Sequence, residues 1–154
     1  MVFLHRVTVK PYLKTYLAHY VKVEPYFVLS DTSRFGSFLL NSLKHKRDIR
    51  PSDLKIKIEG VCLIVSISEW YERNYGVIIP KEHQARFNKF LFDDFNDRML
   101  DFVLPKLTGK KGEIRRELLK FRDKYSISED ELGFTTLKKQ FERAIEYAKR
   151  YESA

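Results

Sequence analysis

Carboxylates recur along one side of a segment whose apolar residues have helical spacing. Asp93, Asp97 and Asp101 follow one another at intervals of four residues, and Asp94 adjoins the first of them. Such a row can hold a divalent cation, as in a nuclease. Arg98, four residues after Asp94, neutralises part of the charge. We therefore interpret the row as a solvated acidic face, or as a docking face for a basic surface of another copy.

Other residue types that bind metals or act as nucleophiles are scattered along the chain. The histidines are His5, His19, His45 and His83, and they form neither an HExxH motif nor a pair at metal-ligand spacing. The single cysteine, Cys62, lies in an apolar stretch that we expect to bury it. Gly109 and Gly112 lack the Lys-Ser/Thr sequence of a phosphate loop. We expect no catalytic residue, no metal site and no cofactor, and a nuclease ranks third among the possible functions.

Side chains suited to contacting DNA are concentrated near the C terminus, where three helices are predicted. Ile114 to Tyr125 have the spacing of a first helix, Ser128 and Glu131 form a capping box for a short second one, and Thr135 or Thr136 can cap a third. This outline resembles a helix-turn-helix unit. The polar residues at the start of its third helix are Thr135, Thr136, Lys138, Lys139, Gln140 and Arg143. They are suited to base edges and phosphates, although any amphipathic helix has a solvated polar face.

Two further groups of basic residues are candidate phosphate contacts. The first is Lys110, Lys111, Arg115 and Arg116, and the second is Lys44, Lys46, Arg47 and Arg50. Cations at the start of a helix oppose its dipole, so the first group suggests an external anion. The second group has a competing explanation, because cations at the end of the preceding helix would complement that helix's dipole.

The apolar pattern predicts a mixed strand and helix body before this tail. We predict strands over residues 2–9, 26–29, 54–58, 61–67 and 77–79, and helices over 11–20, 31–43, 68–75 and 80–103. Ser30 or Asp31 would cap the second helix, Ser68 the third, and Gly76 suits the position that ends the third. Residues 2–43 and 61–103 can be superimposed as strand-helix-strand-helix units. An internal duplication and a chance likeness of amphipathic segments both explain that match.

Net charge favours a polyanionic partner. The 154 residues carry 29 Lys and Arg against 21 Asp and Glu, and residues 106–150 alone hold 13 basic and 8 acidic side chains. DNA is the leading partner, ahead of RNA because no aromatic RNP-type pattern occurs. Surface lysines that keep the chain soluble are the alternative. The lone cysteine and the lack of any long apolar run lead us to expect a cytoplasmic protein that does not enter membranes.

Several segments resemble a known group of proteins. These are residues 114–121, 123–132 and 136–139, together with Pro11-Tyr12-Leu13-Lys14 and residues 86–91. They are similar to small uncharacterised basic proteins of phages and mobile elements of the Bacteroidota. The resemblance implies a role in the life of a mobile element, within the bacterial host cytoplasm, and implies no active residues.

The sequence therefore predicts an α+β fold, with a mixed body over residues 1–105 and a basic helical tail over 113–151. We expect a non-catalytic accessory or regulatory protein that binds nucleic acid. The alternative is an assembly protein whose basic surface meets acidic protein partners or another copy of the chain.

Overall fold

A computed structural model describes residues 1–50 and 56–152, and its fold is α+β. The strands are β1 (Val2–Val9), β2 (Phe27–Val28) and β3 (Val61–Ser68). The α-helices are α1 (Pro11–Ala18), α2 (Arg34–Leu40), α3 (Glu69–Tyr75), α4 (Lys81–Val103), α5 (Glu113–Lys124) and α6 (Phe134–Glu152). Short 3-10 helices span Lys46–Asp48 and Leu104–Lys106. None of these helices is long and apolar enough to cross a bilayer.

The chain divides into two compact units. The first comprises residues 1–90 and the second begins at residue 91, so α4 contributes its first ten residues to one unit and the remainder to the other. The predicted division into a body over 1–105 and a tail over 113–151 stays a prediction.

A mixed three-stranded sheet forms the centre of the first unit. The strand order is β1-β3-β2, with β1 antiparallel and β2 parallel to β3. Val7, Leu63 and Val65 are fully buried on the inner face, whereas Leu4 and Cys62 are exposed on the outer face. Because side chains alternate along a strand, Cys62 and the buried Leu63 must lie on opposite faces. The expectation that Cys62 is buried was therefore wrong.

Part of the free edge of β1 is covered by α4. The Thr8 N–H donates to Gln84 Oε1 at 3.0 Å, and the Thr8 carbonyl accepts from Asn88 Nδ2 at 2.8 Å. Asn88 Oδ1 also accepts from the Lys10 N–H at 3.0 Å. The side-chain amides of Gln84 and Asn88, one helical turn apart, thus form hydrogen bonds with backbone groups that β3 does not pair.

Aromatic rings join α2 to α4 within the first unit. Phe38 stacks on Phe90 with ring centroids 5.0 Å apart, and Phe35 meets the same ring edge-on at 5.9 Å. The Arg34 guanidinium lies 4.9 Å from the centroid of Phe35. These contacts are worth more than their buried area alone, because ring quadrupoles favour stacked and edge-on geometries.

Three local predictions for the first unit were wrong. Residues 56–58 form no strand, and the remainder of the predicted strand over 54–58 lies outside the described residues. The reason is that β1 occupies one edge of β3, while Lys14 Nζ binds the Cys62 carbonyl on the other at 3.0 Å. Residues 77–79 contribute only an isolated bridge between Lys44 and Ile78. The N-cap of α2 is Ser33, whose hydroxyl accepts from the Gly36 N–H, and not Ser30 or Asp31.

Other local predictions were confirmed. Ser68 caps α3, and Gly76 ends it with φ of 97°, a conformation that side chains disfavour. The order strand-helix-strand-helix recurs only in part, because the counterpart of β2 is the bridge at Ile78. Duplication stays a prediction.

The second unit is helical, and its core lies among α4, α5 and α6. Phe95 and Phe121 are fully buried, with ring centroids 5.2 Å apart, and Leu137 of α6 is buried as well. The predicted short middle helix is a single turn: the Leu132 N–H donates to the Ser128 carbonyl at 3.0 Å. The turn extends no further because α6 begins at Phe134. The capping box within it is present, since the Glu131 N–H donates to Ser128 Oγ and the Ser128 N–H to Glu131 Oε1.

Candidate nucleic-acid interface

Arg122 fixes the connection between α5 and α6. Its guanidinium donates to the Glu129 carboxylate and, at 3.0 Å, to the Leu132 carbonyl. Glu129 Oε1 in turn accepts from the Phe134 N–H at 3.1 Å, so it caps α6. Bonding to Arg122, and then to the Phe134 N–H, lowers the pKa of Glu129. The predicted Thr135 or Thr136 cap was wrong, because this carboxylate reaches the helix start one residue earlier.

Arg115, a residue of α5, lies beside the start of α6. Its guanidinium carbon is 4.6 Å from the centroid of the Phe134 ring, a cation–π contact between α5 and α6. Thr135 and Thr136, the next residues, are exposed. The fold thus brings one residue of the predicted phosphate-contacting group beside the first turn of the predicted recognition helix. Arg115 and Phe134 come together because Arg122 fixes the connection between α5 and α6. The spacing of residues along the sequence does not reveal this contact.

The outward face of α6 carries most of the remaining predicted contacts. Leu137 and Phe141 are buried, whereas Lys138, Lys139 and Arg143 are exposed. Thr135, Lys139 and Arg143 follow at intervals of four, so they form one continuous stripe. Gln140 differs from its neighbours: it is half-buried, and its side-chain oxygen is shielded from solvent. It is the predicted base-reading residue with the least access to a ligand.

The loop before α5 is organised by a carboxylate of the chain itself. Buried Glu113 accepts from both the N–H and the hydroxyl of Thr108, and from the Gly109 N–H at 3.0 Å. These hydrogen bonds, the Thr108 hydroxyl foremost, lower the pKa of Glu113. The start of α5 therefore requires no external anion, contrary to the prediction, because Glu113 in its first turn already supplies a negative charge. Exposed Lys110 and Lys111 would meet a phosphate through their side chains alone.

A second cationic cluster surrounds Glu117, whose side chain is only 5% exposed. Lys120 Nζ lies 3.4 Å and Arg116 Nε 3.5 Å from Oε1, and Lys106 Nζ lies 3.9 Å from Oε2. Three cations share one carboxylate, so the cluster keeps a charge of about +2 beside solvent. Lys106 also lies 3.3 Å from the centroid of Phe102.

Of these three cations, Arg116 was predicted to contact phosphate, and Lys106 and Lys120 were not. The i, i+3 spacing of Glu117 and Lys120 was a signal in the sequence that could have found a second. No spacing along the chain could have found Lys106, which lies in the 3-10 helix after α4.

Lys44, Lys46, Arg47 and Arg50 belong to the first unit. The helix α2 ends at Leu40 and has no basic residue in its last turn. Because a helix dipole acts mainly within that turn, the dipole explanation for this group was wrong. Lys44 bonds through its backbone to Ile78, and exposed Arg47 lies 3.8 Å from the Asp48 carboxylate.

The acidic row on α4 is less continuous than its spacing suggests. Asp93, Asp97 and Asp101 are exposed, but Asp94 is buried. Across residues 1–50 and 56–152, no three His, Cys, Asp or Glu side chains are arranged to hold a metal ion. Three of the row's four carboxylates are exposed, which is compatible with a solvated face and with a docking face alike.

Taken together, the second unit presents two basic surfaces. One is the start of α6 with Arg115, and the other is the cluster around Glu117. Both present Arg and Lys side chains to solvent, which is the chemistry that neutralises phosphates. Comparison of the chain with protein-family models, with curated proteins and with solved structures finds no match to any of them.

Proposed function

We propose that the protein binds nucleic acid, DNA in preference to RNA, as a non-catalytic accessory or regulatory factor. The observation that carries the proposal is the contact of Arg115 with Phe134 at the start of α6. It joins a phosphate-binding side chain to the exposed stripe of Thr135, Lys139 and Arg143. A helix that presents such a stripe from its first turn has the chemistry of a major-groove reader.

The basic surfaces of the second unit would make two kinds of contact with DNA, to bases and to phosphates. Lys139 and Arg143 can address guanine, and the threonines can hold a phosphate or a thymine methyl. Lys110, Lys111 and the cluster around Glu117 would contact phosphates, which adds affinity at every sequence alike. The two hydrogen bonds of Arg122 would hold α6 at a fixed angle to α5 while its outward face meets the ligand.

The biological setting is also part of the proposal. Resemblance to small basic proteins of phages and mobile elements supports a role in the life of such an element, inside the host cytoplasm. An accessory factor of this kind needs no active residue of its own.

Substitution of matched pairs tests the proposal. A preferred duplex is first selected with the full-length protein from random oligonucleotides. Lys139→Ala and Arg143→Ala should then each reduce preference for that duplex by about 1–3 kcal/mol, because each removes a base contact. Lys110→Ala and Lys111→Ala should weaken binding to all duplexes alike. Lys22→Ala, at an exposed lysine of the first unit, is the control and should change neither quantity.

Two outcomes would count against the proposal. If the four substitutions lower affinity by similar amounts at every sequence, α6 is an electrostatic patch and reads no bases. If none of them changes binding to duplex DNA, the second unit is not the interface.

A further inference from the structure

Within residues 1–50 and 56–152, only part of the free edge of β1 is covered. Thr8 directs its N–H and carbonyl away from β3, toward Gln84 and Asn88. In an antiparallel pair, alternate residues direct their backbone groups to the same side, so Leu4 and Arg6 direct theirs as Thr8 does. Among the described residues, no group bonds to the outward N–H or carbonyl of Leu4 or Arg6.

Two side chains on the outer face of this open segment, Val2 and Leu4, are apolar and exposed. Val2 and Leu4 are 56% and 58% exposed on the outer face of the sheet. Leu4 pairs with Ser66, which also pairs with Val28, and Val28 is 60% exposed. Natural proteins usually protect an uncovered strand edge that lies beside exposed apolar side chains.

We propose that residues 2–6 of β1 receive an extended segment of an acidic protein partner, which adds a fourth strand to the sheet. Main-chain hydrogen bonds to Leu4 and Arg6 would supply affinity, and the exposed side chains of Val2 and Leu4 would supply an apolar contact. One outward-facing side chain of the added strand would lie beside Leu4, in line with Ser66 and Val28 on the next two strands.

Charge decides the kind of occupant. The first unit carries 15 basic and 8 acidic residues, and Arg6 and Lys10 are exposed on β1 and directly after it. Lys81 lies near His5: burial, and then the Lys81 charge, lower the pKa of the imidazole. A second copy would bring the same positive charge to this edge, whereas an acidic strand would be attracted to it.

Binding of a synthetic peptide to the full-length protein tests the proposal. The probe is a fluorescein-labelled peptide of about ten alternating valines and glutamates, measured by fluorescence anisotropy. It should bind at least about tenfold more tightly than the peptide of alternating valine and lysine. Backbone N–H groups of Leu4 and Arg6 should exchange with deuterium more slowly once the peptide is bound, because they become hydrogen-bonded.

Variants distinguish the addition of a strand to β1 from a general electrostatic attraction between the protein and the peptide. Leu4→Pro removes one outward N–H while leaving the hydrogen bonds to β3. It should lower the affinity for the glutamate peptide about tenfold. Lys81→Glu adds a negative charge in the first turn of α4, where it suits the helix dipole, and should also weaken binding. Ile114→Ala is the control, because it removes an exposed apolar side chain of the second unit, and should leave affinity within about twofold.

The proposal fails if neither peptide binds, or if the lysine peptide binds as well as the glutamate peptide. It also fails if Lys81→Glu, with an unchanged melting temperature, binds the glutamate peptide normally and Leu4 and Arg6 gain no protection. Sedimentation that shows a dimer dispersed by Leu4→Pro would assign the edge to a second copy instead. Displacement of the peptide by duplex DNA would assign this face to nucleic acid.

Discussion

Replacement of Asn88 by alanine tests how the helix α4 holds the edge of the sheet. The side chain makes three hydrogen bonds, from the Lys10 N–H at 3.0 Å, to the Thr8 carbonyl at 2.8 Å and to the Gln84 carbonyl at 2.9 Å. A net contribution of about 1 kcal/mol each gives about 3 kcal/mol. Lys10 is an exposed residue, so water can bond to its N–H in the variant, and we expect a loss of about 2–3 kcal/mol.

Urea unfolding of the two proteins measures this loss. The midpoint should fall while the slope m stays unchanged, and the melting temperature should fall by about 4–12 °C for a chain of this length. Asn74→Ala is a matched control, because Asn74 is an exposed amide on α3 that donates to the Trp70 carbonyl of its own helix at 2.8 Å. Its loss should stay below about 0.5 kcal/mol. Equal losses in the two variants would refute the role assigned to Asn88.

Three further substitutions test the second unit and the pH response. Phe95→Ala should cost about 3–5 kcal/mol in urea unfolding, because its ring is fully buried against Phe121. Glu113 has a lowered pKa, so it stabilises the fold above the unfolded pKa and loses that effect as pH falls through the folded pKa. The difference in melting temperature between wild type and Glu113→Gln should therefore shrink below about pH 4.5. Burial lowers the pKa of His5, so protonation opposes folding: wild-type stability should fall from about pH 7 to pH 5, and His5→Gln should remove part of that slope.

Periodicity and capping were sufficient to predict many local elements. The alternation of Val7 and Val9 predicted β1, Ser68 and Gly76 bounded α3, and the apolar spacing around Phe95 predicted α4. These features depend on neighbours within a few residues, so the sequence carries them directly.

Features that depend on distant partners were not predictable in the same way. The alternation at residues 56–58 predicted a strand, but strand pairing is decided by which edges of β3 remain open. The candidate site shows the same limit. The sequence shows that Arg115 and Arg116 are basic. Only the fold shows that Arg115 contacts the Phe134 ring and that Arg116 contacts the buried carboxylate of Glu117.

Binding of the full-length protein to duplex DNA across a salt series tests the proposed function most directly. The logarithm of the affinity should fall linearly with the logarithm of salt concentration, by about 0.9 per phosphate contact. Replacing both Lys110 and Lys111 by alanine should reduce that slope by about 2, because each exposed lysine contributes one contact. Binding that does not depend on salt, or no binding to DNA even at low salt, would contradict the proposal.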